Sequence, residues 1–70
     1  MIHERALRKI QEQIGHFEVA HVSFFDDNAN HYVDMLAAEV HLDTGYVSGM
    51  IDDGWYSIPF GAMSDVTVAG

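Results

Sequence analysis

Asp26, Asn28 and Asn30 stand at alternate positions, the spacing at which the first side-chain ligands of a helix-flanked calcium loop hold their ion. The remainder of such a loop is missing: His31 replaces the glycine of its sharp turn, Ala37 takes the place of the bidentate glutamate, and both flanks are rich in strand-forming residues. Residues 26–30 therefore read as a turn, built by side chains that hydrogen-bond to nearby backbone. Five histidines, His3, His16, His21, His31 and His41, raise the question of zinc, but no two share the i,i+4 or alternate spacing that brings ligands to one ion. If the first two strands pair about a turn at Asn28, His16 and His41 meet at the far end of the hairpin beside Glu18 and Glu39. That would make a weak metal or pH-sensitive patch; the simpler reading is exposed histidines among carboxylates.

Nucleophilic chemistry finds little support. The chain has no cysteine, which removes thiol nucleophiles, disulfides and thiolate metal sites together. Ser23, Ser48, Ser57 and Ser64 lie outside any Gly-x-Ser-x-Gly turn, although a triad assembled from distant positions stays open. Gly45, Gly49, Gly54 and Gly61 match neither phosphate-binding glycine pattern. Seventy residues make one domain with a thin core, leaving little room for a pocket of the usual ~300 Å³ or more. The expectation is a protein that is not an enzyme and needs no cofactor.

Charge is the most informative property. Eleven acids oppose three bases, a formal net charge of −8, and the bases Arg5, Arg8 and Lys9 all precede Ile10. From Ile10 onward there is neither lysine nor arginine, while ten acids occur. Soluble surfaces ordinarily mix the two signs, because a one-signed field repels itself and destabilises the compact state. Such a surface also argues against direct contact with nucleic acid, whose binding depends on neutralising phosphates with Lys and Arg. No apolar run approaches the ~18 residues of a membrane span, and the first residues lack the basic-then-apolar order of an export signal, so the expected place is the cytoplasm with no membrane contact.

The elements that must position these groups follow from periodicity. Ile2, Ala6, Leu7, Ile10 and Ile14 recur at helical spacing over residues 2–14, with Arg5, Arg8, Lys9 and Glu12 as a solvated stripe opposite and Gly15 placed to end the helix. Beyond it, strands are expected at about 17–25, 32–42, 46–51, 55–60 and 66–68. In the second, Leu36, Ala38, Val40 and Leu42 alternate with Ala37, Glu39 and His41, giving one apolar and one mixed face. Asp43-Thr44-Gly45 and Asp52-Asp53-Gly54 are the hairpin turns, and Pro59 belongs at an edge or where a strand leaves the sheet. The fold class is α+β: one N-terminal amphipathic helix on a four- to five-stranded antiparallel meander, whose connections are all short.

The function expected of such a chain is binding. Carboxylates two residues apart along a strand are ~6.6 Å apart, close to the phosphate spacing of one DNA strand, so a folded acidic protein can present a comparable ladder to a basic channel. In size and charge the chain is similar to phage-encoded anti-CRISPR and antirestriction inhibitors; the similarity is one of composition and rests on no motif. The residues expected to meet a basic, nucleic-acid-processing partner are Asp26, Asp27, Glu39, Asp43, Asp52 and Asp53, which occupy turns and a strand without nearby cations. The alternatives are an immunity or antitoxin protein, and an accessory or self-associating module, a monomer or a homodimer, that uses a sheet edge and the aromatics Tyr46, Trp55, Tyr56 and Phe60.

Overall fold

The computed structural model describes residues 1–69. The order of elements is α1 (Glu4–Phe17), β1 (Ala20–Asp26), β2 (His31–His41), β3 (Tyr46–Ile51), β4 (Gly54–Pro59), a 3₁₀ turn (Phe60–Ala62) and β5 (Met63–Val68). One helix packs on a five-stranded antiparallel sheet, so the α+β class holds.

The helix differs from its sequence pattern at both ends. Ile2 precedes it as a buried residue whose N–H donates to the Phe60 carbonyl at 3.1 Å. Gly15 does not stop it: the helix continues to Phe17, and Glu18 takes the left-handed conformation at φ 71°, its N–H bonding to the Ile14 carbonyl. A glycine inside a helix costs only about 1 kcal/mol, which neighbouring turns offset. Ile10 is wholly buried, with Ala6, Leu7 and Ile14 half-buried along the same stripe.

Ala20, Val22 and Phe24 alternate inward on β1, and Val33, Met35 and Ala37 do so on β2. The apolar face of β2 is thus not the Leu36–Leu42 set expected from alternation. Ala37 pairs with Gly49 but Glu39 with Ser48, so Ala38 is an extra residue in a bulge. A bulge changes which parity faces the core. Leu36, before it, points outward; Val40, after it, points inward opposite Val47. Gly49 permits the bend, because a Cβ at that position would collide with the Leu36 carbonyl oxygen.

The meander runs from β1 to β4, and the fifth strand departs from it. β5 joins the sheet beside β1, giving the order β4-β3-β2-β1-β5. β2 is the pivot: its first part, His31 to Ala37, pairs with β1, and its last part, Leu36 to His41, pairs with β3. The sheet coils enough for three residues to carry the chain between its two edges. That link is tied down by bonds from Phe60 N–H to the Gly45 carbonyl and from Asp27 N–H to the Ala62 carbonyl. Pro59 ends the edge strand β4, where the missing N–H costs no ladder bond.

Candidate interaction surface

Asp26 is buried at 9% exposure, and its Oδ1 accepts from the N–H groups of Asn28 at 2.9 Å and Ala29 at 3.3 Å. The Asp26–Asn30 turn therefore uses its first carboxylate to satisfy backbone donors, and Asn30 completes it in the left-handed region at φ 60°. Asp27, next along, is exposed and accepts from the Ser64 hydroxyl at 2.7 Å.

The other four anticipated acids lie on β2 and in the two loops that follow it. Glu39 pairs with His41 at 3.0 Å, and Asp43 receives the Thr44 N–H in the loop between β2 and β3. Asp52 and Asp53 form the loop between β3 and β4, where Asp52, rather than Gly54, takes the positive φ of 53°. Asp27 and Asp43 flank opposite ends of β2 in sequence, but both of their loops bond to the Phe60–Ala62 link, Gly45 to Phe60 and Asp27 to Ala62. His16 and His41 are not brought together by the ladder: extending the β1–β2 register would set residue 16 opposite 41, but pairing ends at Ala20 and Ala37 and His16 belongs to α1.

The outer face of the sheet carries two acids that turn and charge patterns did not single out. Asp34 points outward from β2 and accepts from the Ser23 hydroxyl at 2.6 Å, across a register pair with β1. Asp65 accepts from the Tyr32 hydroxyl at 2.6 Å. It sits at φ 50° where β5 carries an extra residue against β1, between the pairs Ser23–Thr67 and Phe25–Ser64. The Tyr32 ring packs edge-on to Phe25, with centroids 5.2 Å apart. The Asp65 carboxylate favours the protonated phenol, first through the hydrogen bond and then through its charge, and raises the Tyr32 pKa above the usual 10.0. Three exposed carboxylates, Asp27, Asp34 and Asp65, are therefore each fixed by a neutral hydroxyl. The sequence carries one signal for Asp34, a serine at a facing strand position that only the register reveals, and none for Asp65, whose tyrosine partner lies two strands away.

Beside them runs an apolar row. Leu36 pairs with Met50 and Met50 with Trp55, so the three side chains share the outer face in cross-strand contact order. Trp55 is 52% exposed, while Leu36 and Met50 are each a little over one-third exposed. His21 continues the row on β1 opposite Leu36, bordering a depression of about 310 Å³ with Ser23, Asp34 and Thr67. The Ser23 hydroxyl gives its hydrogen bond to a carboxylate and not to an imidazole, an arrangement that does not activate an oxygen nucleophile by the serine–histidine route.

No protein-family model, no curated protein and no solved structure matches this chain. Among the described residues, no helix is long and apolar enough to cross a membrane.

Proposed function

We propose that the chain is a non-enzymatic binding protein whose outer sheet face docks on a basic protein surface, with Leu36, Met50 and Trp55 as the apolar centre and Asp27, Asp34, Asp65 and Asp53 as the charged rim. The observation that carries this reading is the neutral anchoring of three exposed carboxylates. In each, a neutral hydroxyl restrains the carboxylate rotamer without placing a cation beside it. Preorganised acceptors lose less freedom on binding, and charge complementarity speeds encounter and sets register. Interfaces draw their energy from aromatic and apolar anchors bordered by polar groups, and on this face the row Leu36, Met50 and Trp55 is bordered by Asp34 and Asp65 on the side toward β5.

A formal charge of −8 with every lysine and arginine on the helix suits a partner that ordinarily holds nucleic acid, and inhibition of such a protein in the cytoplasm is the role we assign. Of the acids expected from sequence, Asp26 is committed to its turn; Asp27, Asp52 and Asp53 remain available, and Glu39 and Asp43 lie farther along β2 and its loop. The experiment is affinity capture with wild type and with Asp34→Lys/Asp53→Lys, followed by assay of the captured protein's nucleic-acid-dependent activity. Wild type should retain and inhibit a basic protein that the variant releases. Equal capture by both would reject the charged rim.

A second reading, self-association through β4, is favoured by one observation: the open edge strand carries Trp55 and Tyr56, both about half exposed.

A further inference from the structure

Arg5 and Lys9 have no carboxylate partner among the described residues, whereas Arg8 pairs with Glu4 at 3.1 Å. In a chain of formal charge −8, two adjacent unpaired cations are conspicuous. Both line a groove of about 400 Å³ between α1 and β5, facing Val66, Thr67 and Val68 of the strand. That stretch of β5 has no acid; the preceding Asp65 is engaged by Tyr32.

The groove runs beside an open edge. β5 pairs only with β1 and ends the sheet. The Ala69 N–H bonds to the His21 carbonyl at 3.0 Å, so the alternation of an antiparallel ladder turns the N–H and C=O of Val68 away from β1. The main-chain donor and acceptor of Val68 thus lie free next to a positively charged wall.

We propose that this groove docks an extended acidic segment of a partner protein, which adds to β5 as a sixth strand and sets alternate carboxylates against Arg5 and Lys9. The spacings agree: residues four apart on a helix are separated by about 6 Å along its axis, and alternate side chains of a strand by about 6.6 Å. A polypeptide satisfies both features at once, since its backbone completes the ladder while its side chains meet the cations. A nucleic-acid backbone offers no N–H donors to the edge, and the acidic surface of the whole chain repels a long polyanion. This site lies at the helix-flanked edge and is independent of the outer-face reading.

The test uses a short fluorescent peptide alternating valine and glutamate, its lysine counterpart, and a version N-methylated at alternate backbone nitrogens. Anisotropy measures binding, and hydrogen exchange follows the Val68 amide. The glutamate peptide should bind and protect that amide, and Arg5→Gln/Lys9→Gln should weaken it about tenfold or more with an unchanged melting temperature. The lysine and N-methylated peptides should bind far more weakly. Absence of binding at about millimolar glutamate peptide, equal binding of the N-methylated form, or indifference to the double substitution would overturn the proposal. So would Val68 protection in the free protein that grows with its concentration, since a second copy would then cover the edge.

Discussion

The Tyr32 hydroxyl donates to the Asp65 carboxylate at 2.6 Å, joining β2 to the bulge of β5 across the intervening β1. The bond exists only while the phenol keeps its proton. Because the folded-state pKa of Tyr32 is raised above its unfolded value, this contribution to stability is fully present below pH 10.0 and is lost as pH rises through the raised value. In a phenolate absorbance titration, Asp65→Asn should lower the Tyr32 midpoint toward the ordinary tyrosine value. An unchanged titration would mean that the hydrogen bond is not formed in solution.

Asp26 is a structural acid among acids assigned to binding. Asp26→Ala removes the acceptor for two backbone N–H groups and should cost about 1–3 kcal/mol in denaturant unfolding. Asp26→Asn keeps an acceptor oxygen and should recover most of that loss. Neither change should alter partner affinity once the protein is folded; a large loss of affinity with Asp26→Asn would return this carboxylate to the interface.

Gly49 should be the least replaceable glycine. Gly49→Ala must move the β2 backbone at Leu36 and Ala37, a rearrangement of the overpacking kind that costs about 1–3 kcal/mol. Gly15→Ala meets open space within the helix and should stabilise by about 0.4–1 kcal/mol. Thermal melts of the two variants should move in opposite directions, and equal shifts would remove the close approach at the bulge.

The difference between these two glycines shows what was legible in the sequence. The helix, the strand order in sequence and the hairpins could be read because apolar period and turn residues are local. The role of Gly15 was misread because propensity marks a possible stop, and tertiary packing of Ile14 and the left-handed Glu18 place the real one. Leu36 looked like core because alternation was counted through Ala38; only pairing with β3 reveals the extra residue. β5 beside β1 was hidden for a similar reason, since short connections suggest neighbouring strands unless the sheet coils enough for its edges to approach. The acids at Asp34 and Asp65 were visible as residues, but their hydroxyl partners lie 11 and 33 positions away in sequence.

Self-association, where it occurs, should use β4. Its edge carries Trp55 and Tyr56, and a twofold pairing of two such edges would leave the β5 groove free. Net charge opposes it, so sedimentation at micromolar concentration should show association strengthening with salt, and Trp55→Ser should weaken it. An oligomer that dissociates as salt rises would place attractive charge contacts in the interface instead.

The central claim is that fixed carboxylates on the outer face carry binding to a basic partner. Its most direct test is the dissociation constant of the captured partner, measured for wild type and Asp34→Lys/Asp53→Lys across a salt series. Both positions are exposed, so the double variant should fold with a stability change of about 1 kcal/mol or less. Asp52 is left intact because a lysine there would add left-handed backbone strain to the charge change. Wild-type affinity should fall steadily with salt, and the variant should bind at least about tenfold more weakly at low salt, the two converging as screening increases. Affinity indifferent to both salt and charge reversal would contradict the account and leave the apolar row of Leu36, Met50 and Trp55 as the sole basis of recognition.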